Sequence, residues 1–311
     1  MTGLVIKSTG SWYTVRINSG EVIDCRLKGK IRLDDRKTTN PIAVGDIVDV
    51  DRDKDGSNQI TNIHARKNYI IRKSINLSKQ SHIIASNLDQ AILLATIVAP
   101  RTSLGFIDRF LVTAEAYQIP AKIVFNKKDL LDEDMIELQD DIIKLYKDIG
   151  YECFSISAFN TNDIDFLKTL LKDKTTLISG HSGVGKSTLV NAIDKELDLK
   201  IGDISAAHLK GMHTTTFAEL FPLSFGGNII DSPGIKELGL VEMKKKEVAH
   251  YFPEMLAKMN ACKFNNCLHV NEPGCAILKA VDTGTISQER YQSYLSILNG
   301  EEMDWKEWDI R

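Results

Sequence analysis

The sequence predicts three consecutive domains: a small N-terminal β-barrel, a central α/β domain and a mainly helical C-terminal domain that binds a metal ion. Residues 1–70 show short alternations of apolar and polar residues with no convincing helix between them. Residues 71–242 alternate strands with helices, which is typical of a parallel sheet covered on both faces. Residues 243–311 combine helical segments with a loop rich in Cys and His. We therefore expect domain boundaries near residues 70 and 242.

The composition is that of a soluble globular protein. Of the 311 residues, 43% are hydrophobic and 26% are charged, and the net charge is −3. The first residues lack the basic flank and apolar core of a signal peptide. The strongest apolar run, residues 91–99, is too short to span a bilayer. Five cysteines, an odd number, do not suggest a disulfide framework. The protein is therefore expected to be cytoplasmic.

The N-terminal strands are expected at residues 12–17, 21–27 and 46–50. A closed barrel removes exposed strand edges, so an OB-fold is favoured, with an SH3-like barrel as the alternative. Residues 1–73 carry 14 Lys or Arg against 9 Asp or Glu, whereas the rest of the chain is acidic. A basic first domain is the part that nucleic acid would meet first, although so modest a charge is also compatible with an ordinary solvated surface.

The central domain follows a polar, basic stretch, residues 66–81, that has no clear periodicity and is expected to be a connector. Beyond it, apolar runs indicate buried strands and helical spacing indicates helices between them. The expected strands are 89–98, 121–125, 151–156, 175–179, 217–223 and 227–230, and the expected helices are 106–117, 135–149 and 164–171.

Residues 180–187 read Gly-His-Ser-Gly-Val-Gly-Lys-Ser and fit the phosphate-loop pattern at every fixed position. Backbone N–H groups of such a loop surround phosphates, and the following helix directs its positive end at them. Lys186 is expected to reach the β- and γ-phosphates, and the Ser187 hydroxyl to ligate Mg²⁺. A chance Gly-rich turn is the alternative, but a strand precedes the loop and a helix follows it. The expected contacts are Gly180, His181, Ser182, Gly183, Val184, Gly185, Lys186, Ser187 and Thr188.

Asn126-Lys127-Lys128-Asp129 directly follows the expected strand 121–125. An Asp carboxylate can accept hydrogen bonds from the N1–H and N2–H₂ groups of guanine, a pair that adenine does not offer. The Asn side chain can contact the other edge of the base, and a Lys stem can pack on the ring. Ser157-Ala158, after strand 151–156, fits a backbone contact to the guanine O6. A charged helix start is the alternative reading of the first motif.

Asp231-Ser232-Pro233-Gly234 follows the last expected strand. Asp231 is expected near Mg²⁺ and the Gly234 amide near the γ-phosphate. Among residues 214–216 we favour Thr215 as a further Mg²⁺ ligand, although the sequence does not separate three adjacent threonines. Ile235 occupies the position where many GTPases carry a water-orienting Gln. His213, or a group from a partner, is therefore expected to align the attacking water.

The order of these motifs is unusual, because the guanine motifs precede the phosphate loop. The same sheet forms if the ends of an ordinary GTPase are joined and the chain is reopened elsewhere, since domain termini usually lie close together. The sequence therefore predicts a P-loop GTPase with a circularly permuted motif order.

Cys262, Cys267, His269 and Cys275 offer three thiolates and one imidazole within fourteen residues. This is a full tetrahedral set for one structural Zn²⁺ with no open position. Free cysteines acting as small core residues are the alternative, but neighbouring Asn, Pro and Gly residues place these four in loops. Cys25 and Cys153 lie on expected strands and are assigned to the core.

Together these motifs resemble those of the bacterial ribosome small-subunit-dependent GTPase A family over nearly the whole length. The resemblance implies an OB-fold, hydrolysis of GTP to GDP and phosphate, and a late role in maturation of the small ribosomal subunit through contact with its rRNA. We further expect stimulation by the subunit, no membrane partner and a monomer off the ribosome. The alternatives are a phosphate-loop kinase with an RNA-binding barrel and a zinc-stabilised RNA-binding scaffold that holds GTP without turnover. Residues 188–240 contain no Arg to clamp phosphates, which argues against the kinase.

Overall fold

A computed structural model describes residues 1–28, 41–52, 56–73, 81–197, 218–231 and 243–300. The chain divides into two compact units, Met1–Ile92 with Ser157–Val241, and Leu93–Ile156 with Glu242–Arg311. The strands are β1 (Thr2–Ser8), β2 (Tyr13–Ile17), β3 (Val22–Leu27), β4 (Ile47–Arg52), β5 (Asn58–Ile63), β6 (Tyr69–Lys73), β7 (Ser81–Ser86), β8 (Gln90–Ala95), β9 (Ala121–Phe125), β10 (Glu152–Ser155), β11 (Thr175–Ser179), β12 (Glu219–Pro222) and β13 (Asn228–Asp231). The α-helices are α1 (Leu104–Ala116), α2 (Glu133–Ile149), α3 (Thr161–Leu171), α4 (Lys186–Ile193), α5 (Pro253–Leu256), α6 (Ala276–Asp282) and α7 (Gln288–Asn299).

The first five strands form the predicted barrel. Their order is β1-β2-β3-β5-β4, and β1 also pairs with β4, which closes the barrel. The β3–β5 pair is parallel and the other pairs are antiparallel, the order of an OB-fold rather than of the SH3-like alternative. Alternate residues of each strand point inward, so Val5, Val15, Cys25, Val48 and Ile60 are fully buried. The prediction that Cys25 lies in the core is confirmed.

Within the expected connector, residues 69–73 form strand β6, which pairs with β7 in a two-stranded antiparallel ribbon that the sequence pattern did not indicate. The ribbon is joined to the barrel through the buried carboxylate of Asp46. That group accepts hydrogen bonds from the Arg66 guanidinium at 2.7 and 2.6 Å and from the Ser86 hydroxyl at 2.5 Å. Asn68, just before β6, exchanges side-chain hydrogen bonds with the backbone of Leu88, which follows β7, and so holds the two ends of the ribbon together.

The α/β part of the first unit brings three strands together after the barrel. β11 and β13 are parallel, and β12 is antiparallel to β13. β12 also pairs with β1 of the barrel at Lys7 and Glu219, whose side chains form an ion pair at 3.3 Å. On β8, Gln90 donates to the Leu170 carbonyl and the Thr176 hydroxyl, which fixes the strand against its neighbours within this unit.

The second unit contains parallel strands β9 and β10 with helices α1 and α2. Helix α1 is capped by the Ser103 hydroxyl and α2 by the Asp132 carboxylate, and Gly150 ends α2 in the left-handed conformation. Cys153 is buried on β10, as predicted.

Helices α5, α6 and α7 complete the second unit. Residues 262–275, between α5 and α6, contain the predicted metal ligands. Packing therefore groups residues 93–156 with the C-terminal region, whereas the sequence-based boundaries at 70 and 242 remain predictions. In the parts of the chain that are described, no helix is both long and apolar enough to cross a membrane.

Candidate nucleotide site and metal centre

The phosphate-loop motif lies between the end of β11 and the start of α4. Gly183 and Gly185 have φ angles of 87° and 91°, which a residue with a Cβ rarely adopts. The side chain of Val184 is fully buried and anchors the loop. The Lys186 ammonium bends back and donates to the Gly180 carbonyl at 3.1 Å. The loop is therefore shaped as a cradle for an anion, with a cation at its rim.

The residues around this cradle leave one side of it open. Ser182, Gly183 and Thr188 are exposed, and Ser187 is half-buried in the first turn of α4. His181 Nδ1 lies 3.2 Å from the Ser182 carbonyl, which keeps the ring on the loop itself. A helix of eight residues directs its positive end toward this side. The arrangement can hold phosphate groups through backbone N–H donors and Lys186.

The Asn126–Asp129 motif begins where β9 ends. Asn126 is 2% exposed, and its backbone N–H donates to the Ala95 carbonyl at 2.9 Å. Lys127 adopts the left-handed conformation with a φ of 65°, and its ammonium donates to the Ala99 carbonyl. The Lys128 N–H donates to the Ile156 carbonyl at 3.1 Å, which ties the motif to the end of β10. Asp129 is exposed in the following single turn of 3₁₀-helix, so its carboxylate is accessible to a ligand.

Ser157 and Ala158 form a tight turn before α3. The Ser157 N–H donates to the Asp163 carboxylate at 2.8 Å, and the Ser157 hydroxyl accepts from the Phe159 N–H at 3.2 Å. The Ser157 N–H is therefore engaged within the turn itself.

Asp231, the first residue of the Asp-x-x-Gly motif, ends β13. Its backbone pairs with Ile178 of β11, one residue before the strand ends, and therefore lies beside the start of the phosphate loop. Residues 198–217 and 232–242 are not among the described residues. The predictions for His213, Thr215 and Gly234 fall in those segments and remain untested.

The four predicted metal ligands converge in the second unit. Cys262 Sγ lies 3.9 Å from Cys275 Sγ and 3.5 Å from His269 Nδ1, and His269 Nδ1 lies 3.4 Å from Cys275 Sγ. With Cys267, all four ligand atoms lie within 4.8 Å of one another. Zinc–sulfur bonds of about 2.3 Å give a tetrahedron with sulfur–sulfur edges of about 3.8 Å. The cluster therefore has the size and donor set of a structural zinc site.

The surroundings of the cluster also suit thiolate sulfurs that bind a cation. Backbone N–H groups of Ala276 and Leu278 point at the sulfurs of Cys262 and Cys275, at 3.4 and 3.5 Å. Burial raises the pKa of the Cys267 and Cys275 thiols, so deprotonated sulfurs need a bound positive charge for compensation.

Three supports of this loop were not found by sequence reasoning. The Tyr291 hydroxyl donates to the His269 carbonyl at 2.7 Å, and the Tyr294 hydroxyl donates to the Leu268 carbonyl at 2.5 Å. The Glu272 carboxylate accepts backbone N–H groups from Leu268, Val270 and Asn271 at 2.7 to 3.2 Å. The only signal of these supports in the sequence was Glu272, an acidic residue between two of the metal ligands. Tyr291 and Tyr294 have the spacing of ordinary core residues on a helix.

A buried charge cluster was missed as well. The Arg290 guanidinium on α7 donates to Glu254 at 2.8 and 3.1 Å and to Asp108 of α1 at 2.7 Å. The Tyr146 hydroxyl of α2 donates to the same Asp108 oxygen at 2.7 Å. Burial lowers the pKa of Arg290, but the two carboxylates outweigh it and hold the pKa above its usual value. The cluster joins α7, with its two tyrosines, to helices α1 and α2.

The loop, the exposed Asp129 and the order of the motifs define a P-loop GTPase whose guanine motifs precede its phosphate loop. Comparison with known proteins assigns the family. The model of the RsgA GTPase family matches residues 63–241, and that of the RsgA N-terminal domain matches residues 2–60. The chain belongs to the RsgA family and is a GTP hydrolase that acts on guanine nucleotide.

Relatives match over nearly the full length. The small ribosomal subunit biogenesis GTPase RsgA of Bacteroides fragilis is 53% identical over 302 residues, covering 97% of each chain. The protein of the same name from Flavobacterium psychrophilum is 53% identical over 309 residues, covering 98% of this chain and 95% of its own.

Two solved structures share the fold. The crystal structure of YjeQ from Thermotoga maritima is 35% identical with a TM-score of 0.77, covering 96% of this chain and 97% of its own. YloQ, a circularly permuted GTPase, is 31% identical with a TM-score of 0.74, covering 96% of this chain and 94% of its own. The predicted barrel and permuted GTPase fold are thereby confirmed.

Proposed function

We propose that this GTPase binds the small ribosomal subunit and assists its late maturation, hydrolysing GTP with stimulation by the subunit. The observation that carries the proposal is 53% identity, over 97% of the chain, to a protein named for small ribosomal subunit biogenesis. The OB-fold barrel supports a contact with rRNA, since OB-folds bind oligonucleotides on their strands and loops. The protein would work in the cytoplasm as a monomer when off the subunit.

We assign the phosphates to the loop Gly180–Gly185 and to Lys186. The inward-facing amides and the ammonium neutralise charge that spreads over the phosphate oxygens during transfer. Ser187, Asp231 and Thr215 would hold Mg²⁺, which would supply further positive charge to the phosphates. The Gly234 amide would contact the γ-phosphate, and His213 would orient the attacking water.

We assign the base to Asn126–Asp129, with the turn Ser157-Ala158 near the guanine O6. Exposure of Asp129 and the fixed backbone of Lys127 and Lys128 support this, because an accessible carboxylate on a rigid turn can select a base by hydrogen bonding. The Cys262, Cys267, His269 and Cys275 cluster would hold one Zn²⁺ in a purely structural role, since four protein ligands leave no position for a substrate.

Base selection gives a sharp test of the nucleotide site. Asp129→Asn replaces the acceptor for N1–H and N2–H₂ by an amide, so the variant should lose GTP and gain xanthosine triphosphate. Discrimination that rests on buried hydrogen bonds reaches about 10⁴–10⁵. Titration with both nucleotides measures the effect, and Asp134→Asn, an equal charge change in the first turn of α2, is the matched control. Unchanged GTP affinity in Asp129→Asn would remove the guanine-site assignment.

Subunit dependence tests the biological proposal. Phosphate release from GTP should be slow alone and clearly faster with purified small subunits, with ATP inactive in both cases. Groups supplied in trans raise turnover by about 10³–10⁵-fold in other GTPases, which is an upper guide. His213→Ala should show a smaller stimulation, and added salt should weaken it because contacts with RNA phosphates are screened. Equal rates with and without subunits at low salt contradict the proposal.

A further inference from the structure

An exposed tryptophan lies on the barrel, in the turn between β1 and β2. Trp12 is 46% exposed, and the Arg26 guanidinium of β3 lies over its ring, 4.0 Å from the ring centroid. Large aromatic side chains usually bury most of their surface, because exposing them forfeits their hydrophobic contribution. A tryptophan held outward against a guanidinium therefore calls for an explanation.

The turn that presents Trp12 is rigid. The Trp12 carbonyl accepts hydrogen bonds from both the N–H and the hydroxyl of Thr9, at 3.0 and 3.1 Å. Gly10 supplies the left-handed conformation with a φ of 87°, and its carbonyl accepts from the hydroxyl of the buried Tyr13 at 3.2 Å. The aromatic surface is thus ordered before any ligand arrives, which lowers the entropic cost of binding.

The ring borders an open cavity of about 400 Å³, lined also by Ser11, Tyr13, Leu27 and Pro41. This volume lies near the lower end of the range for small-molecule pockets, about 300–1,000 Å³. The cavity can receive one flat ring with its attached sugar and is too small for a helix.

The charge around the cavity selects an anionic partner. Arg26 has no carboxylate partner in the described parts of the chain, in contrast to Arg52 of the same barrel, which pairs with Glu21 at 3.4 Å. Asp24, on the same strand, instead accepts a hydrogen bond from the Thr14 hydroxyl at 2.8 Å. A guanidinium that has no carboxylate partner among the described residues, next to an exposed indole, suits a ligand that combines an aromatic ring with a phosphate.

We propose that Trp12 and Arg26 form a stacking site for one unpaired base of single-stranded RNA. Single-stranded RNA is bound through bases that stack on aromatic side chains and on Arg guanidinium planes, with nearby cations on the phosphates. The inference rests on the proposed function and deepens it, because it specifies that the barrel engages an unstacked nucleotide and not only a duplex backbone.

Fluorescence anisotropy of a labelled single-stranded octauridine tests this with the full-length protein. Loss of one base stack corresponds to about 1–3 kcal/mol, so Trp12→Ala should weaken binding by roughly 5- to 150-fold. Trp12→Phe should restore much of it, and Arg26→Lys should give an intermediate loss because the charge stays and the plane is lost. The matched controls are Val22→Ala, which removes another exposed apolar side chain of the barrel, and Arg52→Lys.

The same variants are titrated with an abasic octamer that keeps the phosphates. The wild-type protein should prefer octauridine, and Trp12→Ala should leave abasic binding unchanged. The inference is overturned if wild type binds both octamers equally, if Trp12→Ala matches Val22→Ala, or if a proline-rich peptide binds where octauridine does not. GTP turnover without subunits should be the same in every variant and reports intact folding.

Pelleting of wild type with small subunits separates the two proposals. If wild type does not bind subunits, the proposed function fails. If it binds subunits while Trp12→Ala leaves octauridine affinity unchanged, only the stacking site fails.

Discussion

The barrel and the metal module, which we define as residues 253–299, reach stability by different physical means. The barrel surrounds a core of fully buried apolar side chains and closes its sheet through the β1–β4 pair. In the metal module the helices α5 and α6 are four and seven residues long, and a ligand cluster and a buried arginine lie beside its buried apolar side chains. Burial of apolar surface stabilises the first, whereas the second also contains paired buried charges and a Cys and His cluster that is compatible with a structural zinc site.

The difference shows which changes each region tolerates. Among the described residues, Arg290 is one of the largest side chains that are fully buried. An apolar residue would normally fill such a position. A buried charge is tolerated only when its partners are complete. Removal of one metal ligand, or of one member of the Arg290 charge cluster, should therefore strongly destabilise the metal module. In the barrel, the loss of stability should be proportional to the side-chain volume that is removed.

Removal of a metal ligand should have the largest effect. Cys267→Ser should abolish stoichiometric zinc and unfold the metal module locally, because binding of a structural zinc contributes about 10–16 kcal/mol in finger peptides. Elemental analysis and hydrogen exchange measure this. Cys153→Ala, which removes a buried thiol of the same unit, should retain one zinc per chain. Full zinc content in Cys267→Ser would contradict the assignment of Cys267 as a metal ligand on which the metal module depends.

Removal of the buried arginine should come next. Arg290→Met leaves Asp108 and Glu254 without their cation, and breaking a buried pair from one side costs about 3–5 kcal/mol. Arg52→Met in the barrel loses an exposed pair with Glu21, worth about 0–1 kcal/mol, and an exposed hydrogen bond to the Asn58 side chain. Urea unfolding of both variants gives the two values. Equal losses of unfolding free energy in the two variants would show that burial does not increase the contribution of Arg290 to stability.

A small deletion in the barrel core should cost less. Ile60 is fully buried, and Ile60→Val removes one methylene, for an expected loss of about 0.5–1.5 kcal/mol. Trp12 fluorescence in a Trp305→Phe, Trp308→Phe background reports on the barrel, since the chain has three tryptophans. The loss should be the same with and without a zinc chelator. A chelator-dependent loss would contradict the independence of the two regions.

The half-buried carboxylate of Asp49 in the barrel should contribute least, and only above acidic pH. Although burial opposes the shift, hydrogen bonds from Asn62, His64 and Thr2 lower the pKa of Asp49 to about 2. A lowered folded-state pKa stabilises the fold above the unfolded value, near 4, and the contribution disappears as the pH falls through about 2. Asp49→Asn should therefore cost under about 1 kcal/mol at pH 7, and urea midpoints of variant and wild type should converge below pH 4. If the difference in urea midpoint between variant and wild type widened on acidification, the predicted direction of the pH dependence would be wrong.

Sequence reasoning was most accurate where the local pattern and the tertiary environment agree. Strands β9 and β11 begin and end where predicted, because buried parallel strands are continuous apolar runs bounded by polar residues. The four metal ligands converge as expected, since their spacing lies within one short loop. The GTPase fold and motif order followed from motifs whose chemistry constrains spacing.

The elements that were missed depend on distant partners. β5 has only two apolar residues in six, and its pairing with β3 and β4 makes it a strand. The β6–β7 ribbon has no periodic pattern and is joined to the barrel by Asp46 and Arg66. Arg290 sits in a polar helical stretch that reads as solvent-exposed, and only its partners on α1 and α5 explain its burial.

The pairing of β1 with β12 has a consequence for the order of events during translation. Arg16 on β2 donates to Asn228 on β13 at 2.8 Å across a separation of 212 residues, and Lys7 pairs with Glu219 over a similar span. A ribosome adds about 5–20 residues per second, so about 10–40 s pass before those partners emerge. During that interval β1 is already held by β2 and β4. The barrel can therefore form first, and the Lys7 end of β1, beyond the residues that pair with β4, is the place where the later strands of the GTPase sheet add.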